Sequence, residues 1–254
     1  MALFESGNPT LSEKMFDKVG HTQANEAGTM SVRGTMNKFG LMLIGVIAGA
    51  GYTWHLIDQN NPSLAKTLMI VGVIGGLITA LAITFKPNWA PALAPAYAIL
   101  EGLFLGAISK VFNDAFYPGI VEQAVGLTFG VAVAMFLLYN FRVIKPTEKF
   151  RSMIMSATLG IAIFYLLTWV LGLFGVDVSF FRDSSPLSIG IGISLFIVAI
   201  AALNLILDFD MIEQGAERGA PKFMEWYAAF GLMVTIVWLY LEILRLLSKL
   251  SSRD

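Results

Sequence analysis

Apolar residues along this chain gather into seven long runs separated by short polar stretches. The runs are Phe39–Ile57, Thr67–Phe85, Ala90–Val111, Ala124–Phe141, Ser152–Val176, Pro186–Leu207 and Phe223–Leu247. Each approaches or exceeds the ~20 residues a helix needs to cross a hydrocarbon core. Hydrocarbon offers free backbone groups no partner, so every run is expected to be helical. The links are brief, for example Asp58-Gln-Asn-Asn-Pro62 and Arg142 to Arg151, and none is long enough for an extramembrane domain. The pattern predicts an all-α polytopic membrane protein: a seven-transmembrane-helix bundle over residues 36–250 behind a polar cytoplasmic tail, residues 1–35. The tail carries Glu5, Glu13 and Lys14 with no early apolar stretch. It is therefore not expected to be a secretory signal peptide, and the first spanning helix is expected to direct insertion.

Composition agrees with this picture. The 254 residues are 56% hydrophobic and 14% charged, against about a quarter charged in soluble domains, and mean hydropathy is +0.71. A net charge of −1 argues against a nucleic-acid partner. The chain has no cysteine, which removes disulfides, thiolate nucleophiles and soft metal sites. His21 and His55 are too isolated for an imidazole cage or a serine nucleophile's base. Gly190-Ile-Gly192 lies inside an apolar run with no lysine after it, unlike a phosphate loop. A retinal protein needs a lysine in the middle of segment seven, and Lys249 lies beyond its end. No enzymatic activity and no resident cofactor are expected.

Lysine and arginine set the orientation. With the N-terminus inside, the inner links hold Lys14, Lys18, Arg33, Lys38, Lys86, Arg142, Lys145, Lys149, Arg151, Arg218 and Lys222. They outnumber the outer Lys66, Lys110, Arg182, Arg245, Lys249 and Arg253, which favours a cytoplasmic N-terminus. A re-entrant last segment would sharpen the bias, but Phe223–Leu247 is long enough to cross. Glycines four apart let helix backbones approach, and the first four segments carry such pairs: Gly45/Gly49, Gly72/Gly76, Gly102/Gly106 and Gly126/Gly130. Trp54, Trp89, Trp169, Trp226 and Trp238 lie mostly near segment ends, as interfacial anchors do.

An acid at the bilayer centre costs about 2.5–3.5 kcal/mol on insertion scales, so it faces the bundle interior and commonly serves a purpose. Glu101 lies in mid-segment and is expected to be the most surely buried, either as a proton or cation site or as a neutral hydrogen-bonding group. Segment six ends in Asn204-Leu-Ile-Leu-Asp208-Phe-Asp210-Met-Ile-Glu213. At 100° per residue Asn204 and Asp208 share one face, and Asp210 and Glu213 another. In segment seven, Glu242 stands three residues before Arg245, the spacing of an intrahelical ion pair. Alternatively Glu242 meets an acid of segment six. Two carboxylates in one site cannot both ionise cheaply; they would share a proton, or bind a divalent cation through oxygen ligands.

Leu203-Asn-Leu-Ile-Leu-Asp-Phe-Asp210 and Val237-Trp-Leu-Tyr-Leu-Glu242-Ile-Leu-Arg-Leu-Leu247 resemble the last two helices of the Bax inhibitor-1 family. Ala94-Pro-Ala-Tyr-Ala-Ile-Leu-Glu101-Gly-Leu-Phe-Leu-Gly106 is similar to the third helix of its bacterial branch. The likeness extends over about residues 30–250. It implies a bundle around a central last helix, and a pH-sensitive acid pair on helices six and seven that gates a calcium leak. The pair falls on Asp210 and Glu242, with Asp208 or Glu213 as alternative partners on helix six. Two departures are visible: Glu242 stands where Asp is usual, and the acids are 32 residues apart, which lengthens the intervening turn. The resemblance implies a multi-pass inner-membrane protein that leaks calcium or another cation, with calcium bound at Asp210 and Glu242. The alternatives are a non-conducting regulator of another membrane protein such as a protease, and, more remotely, a proton-coupled carrier.

Overall fold

The computed structural model describes residues 28–175 and 189–251. Among them, seven helices are long and apolar enough to cross a membrane: α1 (Val32–Asp58), α2 (Pro62–Phe85), α3 (Ala90–Ala115), α4 (Ile120–Asn140), α5 (Glu148–Leu173), α6 (Ile189–Glu217) and α7 (Met224–Ser251). A short 3-10 turn, Pro87–Trp89, joins α2 to α3. The described residues contain no strand, only an isolated antiparallel bridge between Thr29 and Pro221. The expected tail up to residue 27, Pro186 and Val176 lie outside the described residues.

Helix ends depart from the apolar runs for local reasons. α1 begins before the first apolar run, because the Ser31 hydroxyl accepts from the Gly34 N–H and caps it. Thr147 caps α5 through the Phe150 N–H. Pro62 opens α2 at the one helical position where a missing N–H costs nothing. α6 continues ten residues past Leu207 and takes in Asp208, Asp210 and Glu213. The expected apolar run stops at Leu207, but Phe209, Met211 and Ile212 carry apolar positions onward among the acids and the helix continues to Glu217.

The chain divides into two compact units. One contains α1, α2, α3, α6 from Met211 and α7 up to Val234. Here α3 lies against α1 and α2 at backbone distance. A Cβ on Gly102 would stand 2.3 Å from the Val46 carbonyl oxygen, and one on Gly106 2.2 Å from that of Ala50. A Cβ on Gly72 of α2 would come 2.5 Å from the Leu100 carbonyl oxygen. The Thr53 hydroxyl crosses the same seam and donates to the Leu103 carbonyl at 2.9 Å. Gly126 and Gly130, by contrast, meet nothing within 4 Å. The last glycine pair thus marks an open face and not a helix contact.

The second unit contains α4, α5, α6 up to Asp210 and α7 from Thr235. Its core joins Ile154, Ile161, Ile197, Ile200 and Leu207, with Tyr165 and Trp238 packed against them. Trp238 is therefore a core residue and not an interfacial anchor. Three other tryptophans each lie under a lysine: Trp54 under Lys110, Trp89 under Lys86 and Trp226 under Lys38, as cation–π contacts at helix ends. The side chain of Trp169 lies outside the described set. α7 is the most enclosed of the helices, which is what the family resemblance implies.

The glycine seam makes a direct prediction. Gly106→Ala forces a methyl into the α1 backbone and should destabilise by about 1–3 kcal/mol, the usual penalty of overpacking. Gly130→Ala, on the open face, should be neutral or slightly stabilising. Thermal melts in detergent, followed by tryptophan fluorescence, compare the two; equal melting temperatures would contradict the seam.

Candidate functional site: buried carboxylates and their clamps

Helix α5 carries two polar residues that meet the acids of α6 and α7. Arg151, in its first turn, forms an ion pair with Asp210 of α6, which is 6% exposed. The Tyr139 hydroxyl of α4 donates to the same carboxylate at 3.5 Å. Farther along, the Tyr165 hydroxyl donates to Glu242 of α7 at 2.8 Å. Glu242 is 2% exposed and also accepts from Arg245 at 3.0 Å, one turn on. Arg245 lies over the Tyr165 ring at 5.1 Å. The ion pair that the i, i+3 spacing allows is formed, and Glu242 adds a cross-helix partner that is a phenol and not an acid.

These contacts separate Asp210 from Glu242. Their partners stand 14 residues apart on one straight element, α5. At 1.5 Å per residue that is about 21 Å along its axis. The two carboxylates therefore do not form the pair expected from sequence, and one calcium ion cannot bind both. The cause is register: α6 and α7 run antiparallel from the Gly219 turn, which lies far nearer Asp210 than Glu242. Among the described residues, no three Asp, Glu or His side chains gather as a metal site.

The other expected acids are dispersed. Asp208 is buried on α6. Glu213 is half-buried and belongs to the unit containing α1–α3. Asn204 donates to the Thr158 hydroxyl of α5 at 2.9 Å and to the Ile200 carbonyl at 2.8 Å. Glu101 takes a hydrogen bond from Tyr97, one turn earlier on α3. It is only half-buried, and its carboxylate lies against Gly76 of α2, where an added Cβ would stand 3.2 Å from it. Glu101 is thus not the most buried acid.

That place belongs to a residue the sequence reading passed over. Glu225, in the first turn of α7, is fully buried. Its carboxylate accepts from the Ser31 N–H and hydroxyl, both at 2.9 Å, from Lys222 at 2.7 Å, and from Lys38. Beside it the Met30 N–H donates to the Ala220 carbonyl at 2.7 Å, and the Lys222 N–H to that of Gly28 at 3.1 Å. The four residues before α1 are so pinned to the α6–α7 turn. Glu225 follows Lys222 at ordinary helix-end spacing, and only its long-range partners reveal its role.

A sequence profile described as Bax inhibitor 1 like matches residues 8–252. The chain belongs to the Bax inhibitor 1-like family. No curated protein sequence matches it at significance. In this family member, then, the two acids noted on the last two helices have different partners, arginine with phenol in each case.

A buried ion pair is costly to break and cheap to replace. Arg151→Met, which strands the Asp210 charge, should lower stability by about 3–5 kcal/mol, and adding Asp210→Leu should recover most of that loss. A double-mutant cycle of melting temperatures measures the coupling. Additive losses would mean that the pair carries no interaction energy.

Proposed function

We propose that this protein is a cation leak of the inner membrane, with calcium as its ion, and that acidification opens it. Supporting this is one feature above all: α5 is held at its first turn and again about two-thirds of the way along by buried carboxylates, Asp210 through Arg151 and Glu242 through Tyr165. Protonating Asp210 removes its attraction for the Arg151 guanidinium and so weakens the hold on the first turn of α5. The sign of this switch follows from the partners. Two acids sharing a proton hold helices together in acid and repel when it is lost; an acid facing arginine does the reverse. Family membership supports a membrane role.

Purified protein in liposomes should pass calcium at a rate that rises as pH falls. Asp210→Asn should leak at neutral pH and lose much of its pH dependence, and Glu242→Gln should do the same more weakly, since Arg245 is half-exposed. No flux at any pH, or flux indifferent to both substitutions, defeats the proposal. A stoichiometric membrane partner in the absence of flux would instead support a non-conducting regulator, for example of a protease.

The proposed orientation puts the N-terminus in the cytoplasm, from the distribution of lysine and arginine. Because the chain has no cysteine, single cysteines introduced at Lys145 and Asn61 can be labelled without background. The first should react only after the inner face is exposed, and the second from outside.

A further inference from the structure

Asp210, Glu242 and Glu225 each stand against a cation: Arg151, Arg245, and Lys38 with Lys222. Glu101 does not. Among the described residues its carboxylate takes one hydrogen bond, from the Tyr97 hydroxyl on its own helix, and no ion pair.

Its depth makes this unusual. Glu101 is eleven residues from the start of α3 and fourteen from its end, about 17 and 21 Å. Gly76, against which the carboxylate lies, is fourteen and nine residues from the ends of α2, about 21 and 14 Å. Both therefore fall near the middle of a hydrocarbon core ~30 Å thick.

The charged groups of the neighbouring elements stand nearer their ends. On α1, Gly45 faces Ala98 and Ile99; Lys38 is seven residues below that contact and paired with Glu225, and His55 is ten above it. On α2, Lys66 is ten residues from Gly76. On α3 itself Lys110 comes nine residues later and is held by Asp58 and Asp114. From α7, Phe230 meets the Tyr97 ring edge-on at 4.9 Å, and the titratable residues before it are Tyr227, another phenol, and Glu225. The part of α6 in this unit brings Glu213 and Glu217, in its last two turns. A charge at this depth is expensive, and one phenol does not replace the cation that the other acids have. The neutral acid is the form that fits. Glu101 is half-buried, and Val73 and Leu77 beside Gly76 expose apolar side chains, as a lipid-facing surface does.

We infer that Glu101 is a proton-binding site in the middle of the membrane, holding its proton as the neutral acid and reached through the bilayer, where a lipid-soluble carbodiimide modifies it. The reaction needs the bound proton. The carboxyl oxygen bonds to the central carbon of the N=C=N unit, one C=N π bond breaks, and the proton passes to a nitrogen. Acyl migration to nitrogen then leaves a stable N-acylurea that keeps every atom of both reactants.

The full chain in liposomes is treated with dicyclohexylcarbodiimide or with a water-soluble carbodiimide, and modified peptides are located by mass spectrometry. The lipid-soluble reagent should label Glu101 at neutral pH, more slowly as pH rises, and the water-soluble one should leave it unmodified. Glu101→Gln should lose the label. Tyr97→Phe keeps the ring on Phe230 but removes a hydrogen bond that favours the ionised form, so its label should persist to higher pH. No label on Glu101, a label indifferent to pH, or equal labelling by the water-soluble reagent overturns the inference. So does loss of the label in Tyr97→Phe. The readout is chemical modification and holds whether or not the chain conducts calcium.

Discussion

A carboxylate inside a membrane bundle has no water to ionise against, so each one that stays charged must bring a cation or several donors with it. This requirement explains more of the molecule than any other. It draws Arg151 to Asp210 and Tyr165 to Glu242, and so determines how α5 seats against α6 and α7. It draws Lys38, Lys222 and Ser31 onto Glu225, and so ties the start of α1 to the turn before α7. Desolvating such a pair costs several kcal/mol per ion, recovered only where geometry and extra hydrogen bonds are good. The added hydroxyl of Tyr139 and the doubled donors on Glu225 meet that condition.

The two units are cohesive for different reasons. In the one built on α3, glycine lets backbones touch, and the contact leaves no side chain to rearrange. In the one built on α5, isoleucine packing is supplemented by clamps whose strength depends on charge. Close-packed interiors are bistable and not continuously deformable, so a gate is better built where a proton can remove an attraction. That contrast favours α5 over α3 as the gating element of the proposed leak.

Much of the fold was legible in the sequence. Seven apolar runs became seven helices, because hydrocarbon permits no other backbone arrangement and length alone then counts the crossings. Caps such as Ser31 and Thr147 adjusted the ends by a few residues. Glycine pairs were legible in kind but not in effect: Gly102/Gly106 lies in a seam and Gly126/Gly130 on an open face, and the i, i+4 spacing is identical. Which face a helix presents depends on its neighbours, not on its own spacing.

The acids show the same division more sharply. Composition and position were enough to single out Asp210 and Glu242, because charges in apolar runs are few. Their partners lay beyond its reach. Arg151 read as an inner-loop cation, and nothing in the local pattern singled out Tyr165 or Glu225. Sequence by itself determined that this chain is a seven-helix membrane protein with acids where acids are costly, since that follows from transfer energies residue by residue. Only the tertiary structure decided that Asp210 and Glu242 meet α5 about 21 Å apart, each facing an arginine, because register across an antiparallel hairpin is set by packing and not by local pattern.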